Sequence, residues 1–511
     1  MSKTQGVVRL SAVVMLALAS FGCGSKNSNA NSNANSALPG GSVVAATTNP
    51  LVAQYTITHS HPGLSAWVEF GTDTTYGRQT SAMNNSIPAG SALSLSILVA
   101  GMMPQTTYHM RAHAQWTGGD WADDDHTFTT GAVPASPGMP SILVDPPASA
   151  SAPAPGIELL SLISEPVATD LQGNTIWYCP INAYLVKPMQ NGHFILLSGG
   201  SAGDLFEVDL ACNIIREVSL FQVNQSLQAQ GHSYNFLGFS HDVLTQPNGD
   251  WITIVSIGQD FTDLPGYPGT TGVVGDLLVD IDPTGKVVWS WSAFDHLDIT
   301  RYPYFGLPDW THSNALVYTQ DHNLLLSIRH QAWIIKIDYA DGKGAGDVLW
   351  RLGQDGDFTL LGGDPSQWFY AQHDPNILST NGSQVTLAVF DNGNFRIDPS
   401  TGLYCGSSGA PACYSRATIF EIDESTNIAT LLWQHLPGFF SSWGGSIGVL
   451  SSGNMEFDSS APGTQNWSEI REVTQTDNPE TVWKMTITGT GTNAYRGQRI
   501  PSLYPGVTWQ K

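Results

Sequence analysis

The sequence predicts an all-β chain: a six-bladed β-propeller preceded by a small β-sandwich. Three observations carry that expectation. Across 511 residues there are 52 Gly, 30 Pro and 16 Trp, a composition suited to short strands joined by tight turns, and sustained 3.6-residue periodicity is almost absent. From residue 157 onward one unit recurs, an Asp-led turn followed by an apolar strand that usually carries a Trp. Alternating with it is a hairpin about a Gly or an Asn, so the two units supply the outer and inner hairpins that each blade needs.

In chain order, Lys3 and Arg9 precede an apolar run from Leu10 to Phe21 that is too short for a stable transmembrane helix, and Gly22-Cys23 follows. This predicts a signal peptide over 1–22 that resembles a bacterial lipoprotein signal, with Cys23 as the lipidated residue. The mature protein is then exported, to the periplasm or as a lipoprotein anchored at the outer membrane. Residues 23–46 are rich in Asn, Ser and Ala and read as a flexible tether. Residues 47–131 carry short alternating strands, and the run Leu98 to Ala114 resembles a fibronectin type III sandwich. Residues 132–156 form a Pro/Ala-rich linker, and 157–511 hold the repeat.

Within 157–511 the outer turns start at Asp170, Asp209, Asp282, Asp338, Asp423 and Asp477, and only the Asp209 copy lacks a Trp. Inner hairpins turn at Asn191-Gly192, Asn248-Gly249, His322-Asn323, Asn381-Gly382 and Gly453-Asn454. Six outer turns against five inner hairpins imply that both ends of the repeat region share one blade, residues 157–178 pairing with the tail after Trp483. Asn224 to Gln230 reads as a turn or two of helix. Besides Cys23, the cysteines are Cys179, Cys212, Cys405 and Cys413. Cys405 and Cys413 flank GSSGAPA and are expected to form a local disulfide, with Cys179 and Cys212 as a second candidate pair. No CxxC spacing points to zinc.

Charge narrows the partners. Lys+Arg 20 against Asp+Glu 43 gives a net charge of -23, which leaves no cation surplus for nucleic acid and makes each Arg informative. The hairpin Trp310 to Gln331 gathers His312, Asn314 and Arg329 at one end, groups that suit an anion. Aligned on their turns, His241, His312 and His373 each begin the innermost strand of consecutive blades, so three imidazoles converge on one cavity. The flanking blades hold Asn182 and Trp443 at the corresponding places. Asp242 and Asp374 alternate with their histidines and are expected to point away as clamps. His232, His296, His330 and His435 lack this register and read as structural. Tyr304, Phe305, Trp310, Phe369, Tyr370 and Trp443 are candidates for the pocket wall.

No Ser or Cys nucleophile, phosphate loop or carboxylate pair is placed by the sequence. Imidazoles beside Arg and Asn fit transfer of an anionic group through a covalent histidine; three histidines could instead hold a divalent metal.

At these residues the chain resembles the bacterial arylsulfate sulfotransferases that use no nucleotide sulfate donor. The resemblance covers roughly 157 to 511 and rests on HDV at His241, HSN at His312, SIRHQ at Arg329, QHD at His373 and the tail AYRGQRIPSLYP. It implies a six-bladed propeller behind a sandwich, and His373 as the nucleophile that takes a sulfuryl group from a phenolic sulfate ester and passes it to a phenol. By the same resemblance His241, His312, Asn314 and Arg329 bind the sulfate oxygens, and His241, His312 and Arg329 also assist catalysis. It implies neither metal nor cofactor, and small-molecule donor and acceptor as partners alongside the lipid-anchored membrane. A metal-dependent lyase or hydrolase, and a non-catalytic propeller that captures anionic aromatics, are the rival readings.

Overall fold

The computed structural model describes residues 41–85, 93–134, 139–146, 151–198, 203–460, 467–489 and 493–510. The expected signal peptide, Cys23 and most of the tether lie outside the described residues. The chain is almost entirely β, and over 157–511 six of its sheets contain a path of four antiparallel strands, sequential in the chain in five of them. The first sheet runs Leu185–Pro188, Phe194–Leu197, Asp204–Val208, Ile214–Ser219, and the second Asn235–Thr245, Trp251–Leu264, Tyr267–Ile281, Val287–Ser292. The third is Ser313–Tyr318, Leu324–Ile328, Trp333–Ile337, Val348–Gly353, and the fourth His373–Asn381, Gln384–Asp391, Arg416–Asp423, Ile428–His435. The fifth is Ser446–Val449, Met455–Ser459, Trp467–Val473, Thr481–Thr488. A closing sheet pairs Ala494–Ile500 with Ile157–Leu162, Val167–Thr169 and Thr175–Tyr178, so the two ends of the region meet as expected.

The recurring Asp and Trp explain how these sheets are joined. Asp170, Asp209, Asp282 and Asp423 each accept from the backbone N–H two residues on, which fixes the turn into the fourth strand. Fourth-strand tryptophans then donate to the turn region of the next sheet: Trp177 to Leu210 O, Trp291 to Gly346 O, Trp350 to Glu424, Trp433 to Thr476 O and Trp483 to Leu171 O. Where the Trp is missing, Arg216 takes its place: it donates to Asp282 O at 2.5 Å and stacks on Trp251 with its guanidinium 3.7 Å from the ring centre. These six ties return to their starting sheet. First strands of the second to fifth sheets and the closing strand lie side by side in order.

Ahead of them, Ser42–Ala46, Ala53–His59 and Leu93–Val99 form one sheet, and Leu64–Gly71 with Thr107–Trp116 centres another. Strict alternation of buried and half-buried residues along Ala53–His59 and Leu64–Gly71 packs Tyr55, Ile57, Val68 and Phe70 between them. Two segments read as irregular from composition are ordered. Ser42–Ala46, inside the expected tether, pairs with Ala53–His59, and Ser141–Val144, inside the expected linker, adds an edge strand to the fifth sheet beside Thr481–Thr488. Each offers a short β-compatible run to an open edge, a gain that local composition does not reveal. The C-terminal tail pins the two parts together: the Trp509 ring lies against Gly101, where a Cβ would come within 2.2 Å of it, and Tyr504 Oη accepts from Ala100 N. The expected helical turns form Leu220–Ala229, capped by Ser219. Both disulfides are present, Cys405–Cys413 and Cys179–Cys212.

Candidate active site

His373 begins its inner strand, His312 directly precedes Ser313–Tyr318 and His241 lies inside Asn235–Thr245, each at or beside a bulge that interrupts the ladder, between Ser240 and Val243, Ser313 and Ala315, and His373 and Asn376. His241 and His312 have φ of 54° and 49°, left-handed values that cost a bulky residue about 1–3 kcal/mol and re-aim its side chain. The clamps behave as expected. Asp242 accepts from Lys187 Nζ and Leu316 N, and the Arg496 guanidinium bridges Asp242 and Asp374 at 3.4 and 3.2 Å. Beyond Arg496 a cavity of about 280 Å³ is lined by Lys187, Asp242, Asp374 and Glu456, so Tyr495 and Arg496 separate it from the histidines.

The imidazole of His241 lies 4.6 Å from that of His312 and 5.8 Å from the Tyr495 ring, which also meets His373 edge-on at 6.1 Å. His373 is fully buried: its Nδ1 lies 2.7 Å from Asn392 Oδ1, and Gly444 N–H donates to its Nε2 at 3.2 Å. His312 Nδ1 lies 2.5 Å from Asp309 Oδ2. Arg329 follows the strand Leu324–Ile328 in a 3₁₀ turn, donates to Ser442 O at 2.9 Å, and sits over Phe305 at 4.3 Å. Its Nε is buried without a partner among the described residues, so the guanidinium keeps an unspent donor. Asn314 is fully buried: its Nδ2 donates to Gln372 O, its backbone carbonyl accepts from Arg496, and its Oδ1 has no partner among the described residues. Its Nδ2 thus ties the third sheet to the residue that precedes His373.

His330 was expected to be structural, and the structure differs. Its ring stacks between Phe305 at 4.2 Å and His312 at 4.4 Å, and Arg329 Nη1 lies 3.0 Å from its Nε2. The 3₁₀ turn ends strand alternation, so Arg329 and His330 both reach the site although adjacent in sequence. Asp309, Tyr495 and Asn392 were also missed. Tyr184 could have been found, since it precedes Asn191-Gly192 by the same spacing as His241 precedes Asn248-Gly249; its hydroxyl accepts from His241 N at 2.6 Å. Of the wall candidates, Phe305 and Tyr304 border the site, and Trp443 is half-buried near Tyr495. Trp310, Phe369 and Tyr370 are core. His232, His296 and His435 pack on aromatic rings away from the cluster.

Burial holds His241 and His373 well below the usual histidine value, with the Arg329 charge adding to it. Burial and Arg329 push His312 down to about 3, and burial with His312 does the same to His330. Burial lowers Arg329 only to about 10, so it stays charged. The site is therefore neutral imidazoles around one cation, an arrangement that attracts an anion and leaves one nitrogen of each ring unprotonated. For a metal, the donors grouped within reach of one ion are Asp309, His312 and His330 rather than the three aligned histidines. The Arg329 cation beside His330 opposes a divalent ion there.

An all-β scaffold with neutral imidazoles around an arginine defines a protein built to handle an anionic group. The chain belongs to the arylsulfotransferase (ASST) family, whose model matches residues 160–496. Membership supports arylsulfotransferase activity in general, with aryl sulfates and phenols as small-molecule partners. No curated protein matches the chain. Among solved structures it is similar to a streptogramin B lyase, at 12% identity over 69% of this chain and 99% of that one with a TM-score of 0.31. It is also similar to a cobalt-substituted Synechocystis apocarotenoid oxygenase, at 10% identity over 88% and 96% with a TM-score of 0.30. A Bacteroides caccae protein of unknown function matches at 6% identity over 55% and 94%, with a TM-score of 0.26. Such TM-scores carry no argument about this chain.

Proposed function

We propose that this protein transfers a sulfuryl group from a phenolic sulfate ester to a phenol through a sulfohistidine at His373. The observation that carries the reading is a fully buried, neutral His373 beside the Arg329 charge, in a chain of the arylsulfotransferase family. The donor sulfate docks against Arg329, whose unspent Nε and planar fork suit its oxygens, with His241 and His312 beside it. His373 Nε2 attacks sulfur in line. Donor binding brings one proton from solvent onto His312; the S–O bond then breaks, its electron pair leaves with the aryl oxygen, and that oxygen takes the proton from His312. His312 can hold that proton because the bound sulfate offsets Arg329 and Asp309 faces its Nδ1. In the second half the acceptor phenol gives its proton to His312, its oxygen attacks sulfur, and the N–S pair returns to His373. Asn314 acts by holding neighbouring strands in register. The chain itself supplies every group used.

In this reading the six four-stranded sheets are the blades of one propeller over 157–511, and the sheets within 47–131 are a fibronectin-III-like sandwich. Two disulfides accord with export, and among the described residues no helix is long and apolar enough to cross a membrane. Lipidation at Cys23 completes the proposal. The test is purified protein with a chromogenic aryl sulfate, with and without phenol. Phenol-dependent release, its loss by at least about 10³-fold in His373→Ala, and a sulfuryl mass on His373 are expected. Unchanged release by that variant sinks the proposal. A second reading, a divalent cation on Asp309, His312 and His330, predicts activity abolished by chelation and restored by metal.

A further inference from the structure

One fully buried amide outside the expected site decides which nitrogen of His373 carries the proton. Asn392 directly follows the strand Gln384–Asp391, and its Nδ2 donates to two backbone carbonyls, Ser441 O at 2.8 Å and Gly444 O at 3.0 Å. Carbonyl oxygens cannot donate, so both amide hydrogens are spent there and the orientation of the amide is fixed. Its Oδ1 therefore faces His373 Nδ1 at 2.7 Å, and only an Nδ1–H completes that contact. From the other side of the ring Gly444 N–H points at Nε2 at 3.2 Å, which requires a lone pair there. The two observations are independent and give the same tautomer.

Asn392 is itself held rigidly. Its carbonyl accepts from Ser415 Oγ at 2.7 Å, and the preceding Asp391 side chain accepts from Tyr370 N, Arg396 and Arg416. The Gly444 segment cannot drift either: a Cβ on Gly444 would lie 2.1 Å from Ser460 Oγ.

We propose that Asn392 is a positioning residue that locks His373 as the Nδ1–H tautomer, so that the lone pair for attack on sulfur lies on Nε2, which Gly444 N–H must release when the donor binds. The proposal rests on the sulfohistidine reading. After sulfur binds Nε2, the ring becomes an N-sulfoimidazolium whose Nδ1–H still donates to Asn392, so one hydrogen bond serves both states. A neutral acceptor suits this role. It orients the ring without the strong basicity that a carboxylate would give, and a less basic nitrogen is the better leaving group when the phenol acceptor arrives.

The test uses the full-length protein with ¹⁵N-histidine, the His373 signals assigned by their absence from His373→Gln. Wild type should show Nδ1–H and an unprotonated Nε2 near neutral pH; an Nε2–H form overturns the proposal whatever the activity. In Asn392→Ala the tautomers should mix and sulfuryl transfer to His373 from phenyl sulfate should slow by roughly 10²–10⁴-fold, the range that loss of an imidazole-orienting partner spans elsewhere. Asn392→Asp, which keeps an acceptor at Nδ1–H, should retain the tautomer and move the acid limb of the rate to higher pH. Equal loss in both variants with an unmoved limb overturns the proposal. If wild type never takes up a sulfuryl mass on His373, the sulfotransfer reading fails, while the tautomer measurement still decides what Asn392 does.

Discussion

Replacing Asp309 with Asn tests whether His312 is the acid and base of the transfer. The wild-type carboxylate lies 2.5 Å from His312 Nδ1 and, when ionised, can only accept, so the imidazole keeps its working lone pair on Nε2. An amide can donate instead, which would move the proton to Nε2. The larger loss is electrostatic. During transfer His312 carries a positive charge, and opposite charges with centres about 4 Å apart attract by about 4 kcal/mol at an effective dielectric of about 20. At about 1.4 kcal/mol per decade, that predicts a fall of about 10³ in the rate of sulfuryl transfer. The fall should depend on the leaving group. Phenyl sulfate releases a basic phenolate that needs the proton, whereas 4-nitrophenyl sulfate releases one stable enough to leave unassisted, so its first half-reaction should be nearly spared. Single-turnover phenol release from both donors, in wild type and Asp309→Asn, measures the contrast. An equal loss with both donors, or none with phenyl sulfate, refutes the assignment.

Arg329→Lys removes the planar fork that reaches His330, Ser442 and the Phe305 face together, and kcat/KM for aryl sulfate should fall by about 10²–10³. An unchanged value counts against Arg329 as the sulfate clamp. Folding stability should drop in acid. His312 and His330 titrate near 3 when folded against about 6.5 unfolded, so the unfolded chain binds more protons between those values. Stability is then full above about pH 6.5 and declines toward pH 3, by up to about 1.4 kcal/mol per unit for each histidine. Urea midpoints at pH 7.5 and pH 5 check this, and equal midpoints contradict it. Arg499, buried among Glu158, Glu456 and Glu472, joins the closing strand to its neighbours. Arg499→Met should lose about 3–5 kcal/mol at neutral pH by stranding carboxylates, and less at pH 5, because burial already holds the Glu456 carboxyl well above its usual value. A loss independent of pH in urea titrations would assign the cost to packing instead.

The repeat was legible because its residues have one job in each copy. An Asp whose side chain closes its turn at Asp170, Asp209, Asp282 and Asp423, and a Trp whose indole reaches the next sheet in five copies, leave a recurring mark. Even the missing Trp was a readable gap, although the replacement, Arg216, sits on the same strand with no signal of its purpose. Edge strands were not legible. Ser42–Ala46 and Ser141–Val144 are ordered by sheet edges far along the chain, and their own composition reads as tether and linker. In the site, His241, His312 and His373 come together because each lies at or beside a bulge of an inner strand, although only His312 and His373 stand where the strand begins. Alternation failed where the backbone left the ladder, at the bulges and in the 3₁₀ turn Arg329–Gln331, and His330 and Asp309 were lost there.

What separates the histidines chemically lies behind them. Spacing makes His241, His312 and His373 equivalent, yet their Nδ1 atoms face a serine hydroxyl, a carboxylate and an amide in turn. A carboxylate stabilises an imidazolium, so His312 is suited to holding a proton in transit. An amide steadies a neutral ring and its sulfo form without raising basicity much, so His373 is suited to forming a bond to sulfur and giving it up again. A hydroxyl on the adjacent residue can donate or accept, which suits His241 to a ligand whose charge does not change. Ser240 is next to its histidine, Asp309 lies three residues before His312, and Asn392 lies nineteen residues after His373 across a hairpin. On the proposed reaction, the partner that selects the nucleophile is thus the most distant of the three, and the pairing of His373–Asn381 with Gln384–Asp391 brings it into place.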